Sequence, residues 1–472
     1  MDLRSLRIAK GLKQRDVASA IEVAIGELSK WERGLDQVPP KKLAALANVL
    51  DVGLEELRAA QDAIRANPKA GEGYTTSEAG TGQVYTRRKD PPAGVFRVLD
   101  LFCGAGGLSY GFEQSGEFVT TGGIDLLADR IETFTANHEH ATGIAGDIRA
   151  LALDELADIT AHPDVVVGGP PCQGFSSIRP FRTLTEGDER NSLVEHYVLV
   201  IARLRPRWFV FENVVGLLTH EGGTRLQAVL TSMEALGYRV EWRVLNAANF
   251  GVPQSRERVV IVGNNVGIPF IWPRPTNQHE HKSMAGTRPE VVRTYRLLDH
   301  DLPPAVTLAE AIGDLPPVEA GREIAAYNPN RAPETAYQSR MRLRSMGLTM
   351  HKATGHSPKM LEIIRHAGAN IYALPPGMVT SGFSSCYSRL DADKPSTTLT
   401  VNFVHPASNR CIHPTQNRAL TPREGARIQS FPDRFLFKGN AAQAVKQIGN
   451  AVPPIIGETV ARAILHSEAA AR

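Results

Sequence analysis

The sequence predicts an α/β protein preceded by a small all-helical unit. Two observations carry the first half of that expectation. From Val95 onward short apolar runs, "FRVLDLF", "FVTTGGID", "VVVG", "RPRWFVFENV" and "RERVVIVGN", alternate with stretches of helical spacing such as "GAGGLSYGFEQSG" and "ADRIETFTANH". Strands alternating with helices argue for a parallel sheet built from βαβ units. A third observation carries the second half: in residues 1–66 the apolar positions recur at helical spacing, and residues 67–94 then hold little apolar content and much Gly, Thr, Ser and Pro. That composition predicts a flexible linker.

Composition narrows the class. A chain of 472 residues allows two to four domains, and it holds no run of about 18 apolar residues of the kind that crosses a membrane as a helix. The N-terminus "MDLRSLRIAKGLKQ" has no apolar signal core, so the expected compartment is the reducing cytoplasm. Cys103, Cys172, Cys386 and Cys411 are too few and too scattered for a disulfide framework, and their spacing suggests no metal site. The formal net charge of +3 permits nucleic acid as a partner without demanding it.

Within the helical unit, "DVASAIEVAIGELSKWERG" and "KKLAALANVLDVGLEELRAA" carry the periodicity, Gly26 and Gly34 mark breaks, and Pro39 and Pro40 precede another helix. The placement of Gln14, Ala18, Ile25, Leu28, Trp31 and Glu32 resembles the helix-turn-helix domain of phage-repressor-type regulators. The resemblance implies that Gln14 opens the first helix of the motif. It also implies a recognition helix from Ile25 to Arg33, with Glu27, Ser29, Lys30 and Arg33 offered to a DNA major groove. A helical bundle used for protein contacts fits the periodicity equally well.

The α/β part contains a glycine turn between a strand and a helix, "CGAGG", with Gly104, Gly106 and Gly107. Missing side chains let backbone N–H groups approach a ligand closely. Asp125 ends the next strand at a spacing suited to an acid that holds ribose hydroxyls, and "AGDI" repeats a strand-end acid at Asp147. The glycines are not spaced to cradle a pyrophosphate, so an adenosyl group without one is favoured over a dinucleotide. After the apolar run Val165 to Val167, "GGPPCQGFSS" must end the strand, which puts Cys172 on a rigid turn at the carboxyl edge of the sheet, where open α/β sheets bind ligands.

"DLFCGAGGLSYGF", "GGPPCQGFS", "FENV", "QSRERVVIVG", "RLDADKPSTT" and "IGNAVPP" follow one another in an order that resembles the DNA (cytosine-5) methyltransferases, over nearly the whole chain from Val95 to the C-terminal helix. The resemblance implies a Rossmann-like sheet dependent on S-adenosylmethionine, with double-stranded DNA as partner and no metal. C5 of cytosine is a poor nucleophile, so the ring must first be attacked at C6, a task that suits a thiolate. By resemblance Cys172 is that nucleophile, Glu212 stabilises charge at ring N3, Asn213 supports the loop, and Arg256 and Arg258, alternating on a strand, point to one side to orient base, phosphate or loop. Phe102 then faces the adenine, Asp125 the ribose, and Asp147 with Ile148 the adenine amino group. Pro171 lies near the cofactor, and Asn450 and Val452 close its methionine end, which requires residues 389–472 to fold back beside the first strand. This chain departs from the family at Leu126, where an aromatic or large polar residue is common. Cys103 matches no nucleophile position and is expected to pack.

The target base of a duplex must be flipped out for this attack. The loop after Cys172, with Gln173 and Ser176, is expected to close over it. Residues 264–388 interrupt the α/β alternation and occupy the place of the family's smaller target-recognition domain, between a catalytic part at 95–263 and the returning segment. Their basic stretch "YQSRMRLRSMGLTMHKATGHSPK" offers Arg340, Arg342, Arg344 and Lys352 for phosphate contacts and groove reading, while "TLAEAIGDLPP" reads as a helix packing on the catalytic part. The leading expectation is a DNA cytosine-5 methyltransferase of a restriction-modification system whose helix-turn-helix domain binds operator DNA. An RNA-modifying enzyme and a regulator with an inactive catalytic fold are the alternatives, and oligomeric state stays open.

Overall fold

A computed structural model describes residues 3–23, 25–32, 38–66, 82–171, 192–219, 223–280, 301–379 and 382–472. The chain divides into two compact units, residues 1–79 and 80–472. The first is all helical: α1 (Leu3–Ala9), α2 (Gln14–Ala20), α3 (Ile25–Glu32), α4 (Pro40–Leu50) and α5 (Leu54–Ala66). Pro40 starts α4 where a missing N–H costs nothing, and Asp51 ends it in the left-handed conformation. Leu6, Val17, Ala18, Leu28, Trp31, Leu46, Leu50 and Leu57 form the core. Glu32 is buried too, paired with Arg7 (Nε to Oε1, 2.5 Å) and accepting from Gln14 Nε2 at 2.8 Å. Gln14 thus opens α2 as predicted, and its side chain ties α2 to the end of α3. Arg33 and the side chains of Ser29 and Lys30 lie outside the described residues.

The second unit is built on one eight-stranded sheet, with β1 (Gln83–Tyr85), β2 (Phe96–Leu101), β3 (Phe118–Asp125), β4 (Thr142–Ala145), β5 (Val165–Gly168), β6 (Trp208–Val214), β7 (Arg239–Asn246) and β9 (Glu257–Asn264); β8 (Gln254–Ser255) stands outside it. The order across the sheet is β1-β4-β3-β2-β5-β6-β9-β7, with β4, β3, β2, β5 and β6 parallel. Helices α6 (Gly107–Glu113), α7 (Ala128–Asn137), α8 (Leu153–Ile159), α9 (Ser192–Leu204) and α10 (Thr224–Ala235) connect or follow these strands. Alternate residues of each strand enter opposite layers: Val98, Val165, Val167 and Val210 one, Leu99, Leu101, Val166, Phe209 and Phe211 the other. A sheet covered on both faces needs the continuous apolar strands seen in the sequence.

Two expectations change. "RERVVIVGN" does not continue the parallel alternation, because β9 is antiparallel to both β6 and β7. The link from β7 holds no crossover helix, only a 3-10 turn at Ala247–Phe250 and β8, and so short a connection can only bring the chain back antiparallel. The end of the segment read as a linker is also structured. Gln83–Tyr85 cap the sheet edge antiparallel to β4, and the backbone N–H groups of Arg88 and Lys89 both donate to the Glu139 carbonyl.

Beyond β9 the chain holds short elements: α11 (Leu308–Ile312), α12 (Ala336–Arg342), α13 (Pro358–His366), β10 (Ser388–Arg389), β11 (Ser396–Thr397) and β12 (Arg410–Ile412). The helix read in "TLAEAIGDLPP" is present as α11, and Thr307 and Glu310 form its capping box. Then come α14 (Pro422–Ile428), α15 (Ala441–Asn450) and α16 (Pro454–Ala470). This last segment folds back against helix α6, which follows the first catalytic strand. A Cβ added at Gly107 would stand 2.2 Å from the Val452 carbonyl oxygen, one at Gly111 2.1 Å from that of Pro454, and one at Gly457 2.3 Å from that of Leu108. Helix α6 and the start of α16 therefore touch backbone to backbone, which only glycine allows. Farther along α16, Glu468 accepts from Trp208 Nε1 at 2.7 Å and pairs with Arg207, fastening the helix to β6. Substituting Gly111→Ala should cost about 1–3 kcal/mol through overpacking; a urea midpoint equal to that of the natural chain would contradict the contact.

Candidate active site

The parallel strands end at one edge, and the turn after β2 forms the floor of the candidate site. Phe102 takes a positive φ of 57°, and Gly104 and Gly106 follow at 53° and 86°. A bulky residue there stores strain that surrounding structure must hold. Part of the hold comes from Asp125 at the end of β3, whose Oδ2 accepts from Gly104 N–H at 3.0 Å and whose Oδ1 accepts from Leu127 N–H at 3.1 Å. Burial raises the pKa of this carboxyl group, against the opposing charge of Arg130. On the neighbouring strand, Asp147 pairs with Arg149 (2.5 Å) and caps the 3-10 turn that begins with buried Ile148; its pKa is lowered by the hydrogen bond from Arg149. Leu126, exposed beside Asp125, presents an apolar surface to solvent. Val452 reaches the turn through its contact with Gly107, whereas Asn450 is exposed at the end of α15. A part-exposed aromatic ring, two strand-end carboxylates and an open glycine turn form a donor set that fits an adenosyl group.

The next strand ends over from this turn carry the second half of the site. Glu212 and Asn213 close β6, both buried. Asn213 Nδ2 donates to the Pro170 carbonyl at 3.0 Å, so β6 grips the turn that leads through exposed Pro171 to Cys172. A Cβ at Gly169 would come within 3.1 Å of Glu212 Oε2, so the same turn lies against that carboxylate. Arg258 Nε lies 3.0 Å from Glu212 Oε1, and their strands are paired edge to edge. Burial lowers the pKa of Arg258, a shift that Glu212 resists. Cys172, Gln173 and Ser176 lie outside the described residues.

Arg256 differs from its expected presentation. It lies between β8 and β9 rather than within a strand, and its Nη2 donates to the Ala451 carbonyl at 3.0 Å, spending the guanidinium on the returning segment. Burial, together with the like charge of Arg258, pushes its pKa well down. Its Nε is buried without a hydrogen-bond partner among the described residues.

Comparison with known proteins decides the family. The model of the C-5 cytosine-specific DNA methylases matches residues 96–466. The chain belongs to that family. A helix-turn-helix family model matches residues 3–57. The methylase is 33% identical over 375 residues to the type II methyltransferase M1.HphI of Haemophilus parahaemolyticus, covering 78% of this chain and 86% of that one. It is 32% identical over 443 residues to M.AgeI of Thalassovita gelatinovora, covering 78% and 99%. Its fold resembles a putative DNA modification methyltransferase encoded in an E. coli prophage, with a TM-score of 0.61, 22% identity, and coverage of 79% and 99%.

The basic stretch of the methylase makes ion pairs within its own unit. Arg340 pairs with Glu458 of α16, at the level of Gly111 on α6. Arg342 is half-buried, stacked 4.0 Å over Tyr327 and within 3.4 Å of Asp314. Arg340 thus ties its helix to α16, and Arg342 is held by residues of its own segment. Arg344 is exposed with φ 59°, and Lys352 is exposed opposite Glu323 at 3.8 Å. Cys103 is buried, as expected of a packing thiol.

Sequence reading missed Asp100. It lies on β2 just before the glycine turn, nearly inaccessible, and accepts from Ser109 Oγ at 2.6 Å. An acid inside the apolar run "FRVLDLF" was the available signal. Burial raises its pKa to about 7, against the hydrogen bond from Ser109. Because the folded value lies above the unfolded one, stability from the protonated acid is present below about pH 4 and lost as pH rises through about 7. Asp100→Asn should therefore be more stable than the natural chain at pH 8.5, by at most ~4 kcal/mol, with the gap closing toward pH 5. Urea unfolding at the two pH values checks this, and a pH-independent difference would contradict it.

Proposed function

We propose that the methylase transfers a methyl group from S-adenosylmethionine to C5 of a cytosine flipped out of a specific duplex DNA sequence, through a covalent adduct on Cys172. The carrying observation is the convergence of three contacts. Arg258 holds Glu212, Glu212 lies against Gly169, and Asn213 fastens Pro170, two residues before the thiol. Phe102, Asp125, Asp147, Ile148, Pro171, Asn450 and Val452, with the turn glycines, are the residues assigned to the cofactor, which when bound supplies an electrophilic methyl group. The Cys172 thiolate adds to C6 while Glu212 stabilises the charge growing at N3 by hydrogen bond or proton. Once C5 has taken the methyl, loss of the C5 proton to a base restores the ring double bond and expels the thiolate. Gln173 and Ser176 are assigned to the DNA at the flipped base.

The names of the relatives support a place in a type II restriction-modification system. The helix-turn-helix match supports a second DNA-binding activity, with Lys30 and Arg33 on the groove side and an operator as the site. Equal promoter occupancy by the full chain and a chain lacking residues 1–66 would contradict that second activity.

The test is base-resolution methylation sequencing of DNA from cells that express the natural chain or its Cys172→Ala variant. The expected result is 5-methylcytosine in one short motif with the natural chain alone. Methylation by the variant, or activity on RNA but not on duplex DNA, would overturn the proposal.

A further inference from the structure

The cofactor turn is backed by a buried polar chain that the proposed chemistry does not use. His138, at the end of α7, is fully buried. Its Nε2 stands 2.7 Å from where a Cβ of Gly106 would be, so the imidazole occupies the notch left by that glycine. The same nitrogen is 3.5 Å from Ser109 Oγ, which donates to Asp100 at 2.6 Å and lies 3.3 Å from the Gly106 carbonyl. On the other side, His138 Nδ1 contacts Glu113 Oε1 at 3.0 Å, an ion-pair distance without hydrogen-bond alignment, and Glu113 Oε1 also accepts from Thr120 N–H on β3 at 3.0 Å. The ring packs against Phe134, with centroids 4.5 Å apart.

An apolar side chain could fill this space without the desolvation cost that a buried imidazole carries, so its retained polar contacts call for a reason. They run from Asp100, on the strand before the turn, through Ser109 to His138 and on to Glu113 at the far end of α6. His138 touches the one glycine of the turn that opens α6, Gly106, whose φ of 86° no other residue adopts easily.

We propose that His138 is a positioning residue for the cofactor: it fixes Gly106 from behind and, through Ser109, couples the turn to Asp100. The inference rests on the adenosyl cofactor reading above. Glutamine at 138 can place its amide where Nε2 lies, whereas asparagine reaches only the Nδ1 position.

The test measures S-adenosylhomocysteine binding to the full chain by isothermal titration calorimetry, beside thermal unfolding of each variant and duplex DNA binding by gel shift. His138→Leu and His138→Asn should each weaken S-adenosylhomocysteine at least tenfold, His138→Gln should stay within threefold of the natural chain, and DNA affinity should not move. Ser109→Ala, a smaller change that keeps the ring in place, should weaken the same ligand about fivefold. Unchanged affinity in Ser109→Ala, or in a folded His138→Leu protein whose melting temperature alone has dropped, would overturn the positioning role. Equal affinity of the Gln and Asn variants would do the same. Failure of the natural chain to bind S-adenosylhomocysteine would overturn the cofactor reading and this inference with it.

Discussion

The backbone contact between α6 and the returning C-terminal segment is the constraint on which the rest of the catalytic unit depends. Gly107, Gly111 and Gly457 let carbonyl groups from Val452, Pro454 and Leu108 approach where any side chain would collide. That approach brings Val452 to the glycine turn after β2 and leaves the Ala451 carbonyl within reach of Arg256. A residue more than 300 positions after the turn thereby becomes part of it, and the strand carrying Arg258 is anchored to the same segment. Removing the close packing would loosen both halves of the site at once.

Around this contact the fold buries charge in pairs. Arg427 is held between Asp314 and Asp433, and Arg418 lies 2.7 Å from Glu424. Burial pushes the Glu424 carboxyl group up, but Arg418 outweighs it and holds the pKa at about 2. Such pairs add little net stability compared with apolar packing, yet breaking one strands a buried charge. They tie the irregular segment between β9 and α14, poor in regular elements, to α14 and the chain just after it. Glu212 and Arg258 use the same physics at the site, where a carboxylate must keep one orientation beside the Pro170 turn.

The parts of the fold legible in the sequence are those set by local pattern. Strand-helix alternation, the glycine turn, Asp125 at the end of β3 and the capped helix in "TLAEAIGDLPP" all follow from spacing and turn chemistry, and the structure has each where expected. Direction is not local: a continuous apolar run marks β9 as a strand but says nothing of its antiparallel course. Partners are not local either. Arg340 and Arg342 read as a basic patch, and their pairing with Glu458 and Asp314, far off in sequence, appears only in three dimensions. The partners of His138 and Asp100 are hidden for the same reason: an acid inside an apolar run signals that Asp100 is unusual, but neither it nor a histidine in "NHEH" carries a period that names what it touches. Gln83–Tyr85 show the limit of composition: a three-residue edge strand needs only a partner, β4, not an apolar sequence of its own.

The central claim is that Cys172, carried on the turn gripped by Asn213 and Glu212, attacks the base. The most direct measurement is to incubate the full chain with S-adenosylmethionine and duplex DNA containing its target with 5-fluorocytosine in place of cytosine, then map any protein–DNA adduct that survives denaturation. Fluorine at C5 cannot leave as a proton does, so elimination stops and the adduct persists. The account predicts a stable adduct on the peptide containing Cys172. A stable adduct mapped to Cys103, or none with DNA that the protein demonstrably methylates when cytosine is present, would contradict it.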